Sequence, residues 1–230
     1  MRCLHAPARL LLSVALVVVS AGAMSASHSW GGYPWARTTN PIHLKLGDNM
    51  TSADWKAHLA QTSSDWNSGN SAVMTMIVAG QSNKRCSMVA GTTQVCNGSY
   101  GRNGWLGLAS INIIDGTHIT QGSAKMNDTY FSTSTYNNPN EREHVVCQEV
   151  AHTFGLDHQS TDGGSLNTCM DYFSNTGANA GSTPSTKPNA PDFGEPNIIH
   201  SHADTTTTAG APAALTSASP EASEHPHGGG

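Results

Sequence analysis

The alternation Ile42-His43-Leu44-Lys45-Leu46 places apolar side chains on one face of an extended segment and polar ones on the other. That period of two predicts a half-buried strand, and Gly47-Asp48 supplies a turn signal at its end. From Thr51 the period changes. Trp55, Leu59, Thr62 and Trp66 recur at helical intervals, and Thr51-x-x-Asp54 resembles a capping box with a shorter acid. Val73 to Ala79, a short apolar run between Gly69 and Gly80, predicts a central strand. Cys86 to Gly104 reads as a long loop. Trp105 to Ile114 and Ile119 to Phe131 read as two extended runs joined at Asp115-Gly116, a hairpin signal. A second helix is announced by Asn138 as cap, Pro139 at the first helical position and Glu141 completing an N-x-x-E box. Val145, Val146, Val150, Ala151 and Phe154 form its buried stripe, and Gly155 suits a left-handed stop. Elements in this order predict an α+β fold, a mixed sheet with two main helices packed on it.

The ends read differently. Arg2 and Arg9 flank the start of an apolar run from Leu10 to Val19, and Ala21-Gly22-Ala23 follows. Residues 1–23 are therefore expected to be a signal peptide, with a cut after Ala26 as the alternative. The run is about half the roughly 20 residues a spanning helix needs, so no stable membrane anchor is expected. Residues 24–40 look irregular, 41–204 form the domain, and 205–230 are rich in Thr, Ala, Pro, Ser and Gly and read as a disordered tail. A short element around Asp192 to His202 folds back on the domain in this reading, with Gly194 and Pro196 weakening any helix there. His225 and His227 in the tail read as solvated, and His58 as a structural or surface residue.

Only 12% of residues are charged and the formal net charge is −5, which argues against nucleic acid as a partner. Of five cysteines, Cys3 leaves with the signal, and an even set of four remains in an exported, extracellular chain. Three pairings are open to them. Cys86 with Cys96 is the local choice; Cys147 with Cys169 would then tie the second helix to the segment after it. No Cys-x-x-Cys pair exists, so a four-cysteine zinc site fails on spacing. Asn49, Asn97 and Asn127 each fit the N-x-[ST] acceptor pattern.

The chemistry gathers at the end of the second helix. Gln148 and His152 lie four apart and share a helix face, where two donors can grip one metal ion. Glu149 sits beside them, angled towards a water on the metal rather than the metal itself. A turn at Gly155 swings His158 back as a further ligand, leaving one coordination position open, as a catalytic zinc requires. Zinc lowers the pKa of its bound water to about 7, and a neighbouring carboxylate can take the proton as that water attacks a peptide carbonyl.

Glu149-x-x-His152-x-x-Gly155-x-x-His158, with Cys169-Met170-Asp171-Tyr172 downstream, resembles the zinc motif of the metzincin clan of endopeptidases, which includes matrixins, astacins and snapalysins. Gln148 stands where that motif begins with histidine. The resemblance covers roughly residues 40–173. It implies a twisted sheet of about five strands with two main helices, and a secreted, monomeric zinc endopeptidase acting on protein or peptide substrates. It further implies Met170 as the Met-turn floor beneath the metal and Tyr172 as a metal or oxyanion contact. Trp105 to Ile111 would be the edge strand that pairs with an extended substrate. Three roles for Gln148 follow. It ligates directly or through water, which is the favoured reading. Alternatively His144 replaces it, although 144 and 152 lie about 12 Å apart along the helix axis. In the last, the chain is a binding module on a protease scaffold. The Asp162 to Asn167 loop adds calcium as a weaker cofactor expectation.

Overall fold

The computed structural model describes residues 28–210 and 221–228. The expected signal segment, 1–23, lies outside them. Strand β1 (Ile42–Asn49) leads through helix α1 (Ala53–Trp66) to β2 (Val73–Ala79) and β3 (Thr92–Gly98). The hairpin β4 (Trp105–Ile114) and β5 (His118–Asn127) follows, then a helical turn α2 (Asp128–Phe131), the long helix α3 (Pro139–His152), α4 (Ala190–Ile199) and a last strand β6 (Glu221–Gly228). The sheet order is β2-β1-β3-β5-β4-β6. The pairs β1–β2, β1–β3 and β3–β5 are parallel, whereas β4 runs antiparallel to both its neighbours. The α+β class and the mixed sheet with two main helices are as the sequence implies.

The two main helices form where their caps place them. Asn138 accepts from the Asn140 amide and Pro139 opens α3, as expected, but the expected N-x-x-E box does not close, because the Glu141 carboxylate is taken by Asn175 N and Ser174 Oγ. At α1 the cap is Ser52, whose hydroxyl accepts from the Trp55 amide, not Thr51. The Thr51 hydroxyl is instead engaged with the Asn97 side chain on β3. The helices pack on each other and on the sheet. Trp66 Nε1 donates to Cys147 O at 3.2 Å, and its ring meets Phe154 edge-on at 5.0 Å. His58 is structural, its Nδ1 lying 2.7 Å from Glu143 Oε2 across the interface.

Val73–Ala79 lies at the sheet edge rather than in its centre as expected, paired with β1 alone among the described strands, and four further departures have physical causes. Thr92–Gly98 is a strand inside the expected loop. It is buried on both faces, so no period of two is visible, and its polar side chains are bonded rather than solvated. Gln94 Oε1 accepts from Asn49 Nδ2 and the Gln81 amide, while Asn97 Nδ2 donates to Asp128. The extended run from Ile119 stops at Asn127, whose side chain caps the turn that follows. Residues 190–199 are a full helix despite Gly194 and Pro196, because Asn189 and Asp192 form a reciprocal capping box. The tail is the fourth. Residues 205–210 bond along the domain, with Thr208 N to Ala36 O and Gly210 N to Gly91 O. Glu221–Gly228 then adds a strand to β4. Backbone groups bonding to an open sheet edge need no apolar side chains, so composition gave no sign of this order.

The hairpin is as expected: Asp115 and Gly116 both take positive φ (54° and 64°), and Thr117 N bonds back to Ile114 O. Both disulfides of the local pairing are present, Cys86–Cys96 and Cys147–Cys169. Asn97 and Asn127 are buried, and the Nδ2 atoms of Asn49, Asn97 and Asn127 all donate hydrogen bonds.

Candidate active site

Every residue of α3 from Glu143 to His152 is buried. Near its start, Glu141 accepts from Asn175 N at 2.5 Å and Ser174 Oγ at 2.9 Å, fixing the helix to the chain that follows the Cys169 turn. The Cys147–Cys169 bridge fixes it again nearly two turns on. The site is thus held between α3 and the 169–175 segment by covalent and charge-assisted links.

Gln148 is fully buried, and its Nε2 donates to Cys169 O at 2.8 Å and Asp171 O at 2.9 Å. Only the amide nitrogen can donate to two carbonyls, so these contacts settle which end of the side chain faces the turn. Oε1 faces the other way and, among the described residues, accepts no hydrogen bond. A buried carbonyl oxygen in that condition costs free energy unless something electropositive meets it.

His152 Nδ1 lies 2.7 Å from Leu156 O. The carbonyl can only accept, so Nδ1 carries the proton and Nε2 keeps its lone pair. The helix stops at Thr153, and Gly155 takes φ +98°. A β-carbon at 155 would stand 2.6 Å from Tyr33 O, so both conformation and space demand glycine. The N-terminal segment closes over this turn through Trp30 N to Gly155 O at 2.7 Å and a bridge between Ser29 and Leu156.

The reversal brings His158 onto His152, ring centroids 4.9 Å apart and nearly perpendicular at 84°. Gln159 N bonds Met170 O and Tyr172 N bonds Ser160 O, zipping the returning chain to the Met170 turn. Tyr172 is thereby set edge-on to His158, centroids 5.3 Å apart, while Met170 is fully buried. The structure so gathers His152, His158, Tyr172 and the Met170 turn around the end of α3, with Gln148 one turn back on the same helix face.

Glu149 is fully buried opposite β4. A β-carbon on Gly107 would lie 2.5 Å from its Oε1, so the close passage of β4 depends on that glycine. Burial pushes the Glu149 carboxyl well above the usual carboxylate range, partly offset by the Ala109 backbone N–H.

His144, the alternative ligand, has its Nδ1 against Ser185 O. The helix is regular from Pro139 to His152, without the distortion that substitution would require. Burial lowers the His144 pKa from 6.5 to about 4. A depressed histidine is neutral in the fold but protonates in the unfolded chain first, so stability falls as pH drops from about 6.5 towards about 4 and flattens below. The loss should be on the order of 3 kcal/mol. Urea midpoints measured across that range should show it, and His144→Gln should remove its share of the slope, leaving that of His200, which burial depresses to about 4 in the same way.

Asp162, in the expected calcium loop, turns Oδ1 back to Ser160 Oγ and Gly164 N. That is a self-bonded turn. Three contributors escaped the sequence reading: Leu156 O, which orients His152; Gly107, which makes room for Glu149; and Trp30, whose ring meets His152 edge-on at 5.9 Å. Gly107 alone left a trace, as a glycine inside an apolar strand.

No family model matches the sequence. No curated protein matches it either. Among solved structures, two of myroilysin align over 73% and 74% of this chain and 96% and 89% of theirs, at 12% identity and TM-scores of 0.39 and 0.40. High choriolytic enzyme 1 from Oryzias latipes, a hatching enzyme zinc-protease, aligns over 72% of this chain and 93% of its own, at 11% identity and a TM-score of 0.38. Likeness of this degree assigns no chemistry; that rests on the residues of the site.

Proposed function

We propose that the chain is a secreted zinc-dependent endopeptidase, with His152, His158 and Gln148 as the metal donors and Glu149 as general base. The observation that carries this is the Gln148 side chain, pinned through its nitrogen so that its buried oxygen accepts no hydrogen bond, on the helix face that also bears His152, against whose ring His158 packs at 4.9 Å. Two neutral nitrogens and one neutral oxygen suit a divalent ion of the zinc type. When bound, such an ion supplies Lewis acidity to water and to the scissile carbonyl.

The chain's own residues account for the rest. Glu149, next to Gln148 in the chain and set against Gly107 and Ala109 of β4, takes the proton from the attacking water and delivers it to the leaving amine. His152 is held in one tautomer by Leu156 O. Tyr172, more than a third exposed, stands at the rim beside His158, placed to contact the developing oxyanion. Peptide substrate adds to β4 in extended form, passing Gly107 and Ala109 next to Glu149. Hydrolysis of casein that stops with chelator and returns with zinc tests this reading; absence of any cleavage by the zinc-loaded chain would favour the binding-module alternative.

The same β4 edge carries β6 of the chain's own tail, with Gly107 opposite His227 and Ala109 opposite His225. A tethered strand competes at an effective concentration in the millimolar range. Removing residues 211–230 should therefore lower KM for extended peptides several-fold with little change in kcat. An unchanged KM would mean substrate does not use this edge.

A further inference from the structure

Away from α3, three side chains meet where the β4–β5 hairpin touches the segment after α4. His118 Nε2 lies 3.2 Å from Asp204 Oδ1, His202 Nε2 lies 3.5 Å from the same oxygen, and the two Nε2 atoms are 3.5 Å apart. Three donors at tetrahedral corners, about 2.0–2.1 Å from a central zinc, are separated by roughly 3.3–3.4 Å. The observed triangle has that size before any ion is placed in it.

The anchoring is as telling as the spacing. Asp204 Oδ2 accepts from Arg37 N at 2.9 Å, and Asp204 N donates to Arg37 O at 2.7 Å. Both bonds hold the carboxylate so that Oδ1 faces the rings. Hydrogen bonds alone leave the two Nε2 atoms sharing protons among themselves and one carboxylate oxygen over contacts of 3.2–3.5 Å, two of them at the long limit. A shared cation uses both lone pairs and the carboxylate charge together. Asp204 and His118 are largely covered, whereas the His202 side chain is nearly half exposed, so an ion can enter from solvent and retain water as a fourth ligand.

We infer that His118, His202 and Asp204 form a second divalent-metal site of the zinc class, separate from the α3 site. Its consequence is structural: it clips the strand that begins β5 to the chain leaving α4, beside the backbone bonds that Asp204 already makes to Arg37. Copper and nickel, favoured by imidazole-rich sites, would compete for it.

The full chain, stripped with chelator and re-equilibrated with Zn²⁺ by dialysis, is counted for metal by atomic spectrometry. Wild type should retain one equivalent more than His118→Ala and one more than His202→Gln, and Zn²⁺ should raise the unfolding midpoint of wild type more than that of either variant. Failure of the α3 site would lower all three proteins equally and leave the difference intact. Equal zinc content in wild type and His202→Gln overturns the site, and that exposed position decides the matter if His118→Ala fails to fold. The tail histidines, present in every sample, cancel in the comparison.

Discussion

Glu149→Ala is expected to abolish casein hydrolysis while zinc content and fold are retained. Removing a positioned general base costs about 10²–10⁴ in rate, and Glu149 has two further reasons to sit at the upper end. It is fully buried, so bulk water has no ready route to replace it as proton acceptor. Its position is also set by backbone, with Gly107 of β4 passing so closely that a β-carbon there would overlap the carboxylate. Metal should persist, because the proposed donors are Gln148, His152 and His158. Glu149→Gln keeps the shape and removes only the base, so it separates chemistry from packing. If both variants lack activity and hold metal, the proton-transfer role stands. Unchanged cleavage by Glu149→Ala would refute it, and loss of metal would recast Glu149 as a ligand.

Much of this site is legible from spacing because it is built on one helix and the turn that ends it. Asn138, Pro139 and Glu141 mark the start of α3, its apolar stripe sets the buried face, and Gly155 marks the reversal that returns His158. Those are local rules, read within a dozen or so residues. Contacts made across the fold are not legible in this way. Strand β3 escaped because Gln94 and Asn97 satisfy their polar groups inside the protein, so burial and polarity coincide. Helix α4 escaped because its glycine and proline outweighed a capping box, a tertiary and capping context overriding intrinsic propensity. The His118–His202–Asp204 cluster joins residues 84 apart with no motif between them, and only the hairpin packed on the post-α4 segment brings them together. Strand β6 is the extreme case, since a strand that binds through its backbone need carry no recognisable pattern.

The orientation of Gln148 belongs to the same class of fact, and it leads to the second large effect. Gln148→His should raise zinc affinity by at least the roughly 10–100-fold that changes to partners of metal ligands typically produce. An imidazole nitrogen is a stronger donor to zinc than an amide oxygen. The surroundings can also accept the exchange. In place of the amide that now donates to Cys169 O and Asp171 O, the new ring has one N–H at Nδ1 and can satisfy one of those carbonyls while its other nitrogen faces the metal. The second carbonyl loses its partner, at a cost of about 1–3 kcal/mol in stability. The variant should therefore bind zinc more tightly in a competition titration yet unfold at lower urea when stripped of metal. Those opposite signs distinguish a ligand from a merely structural glutamine, whose replacement would lower stability and leave affinity where it was.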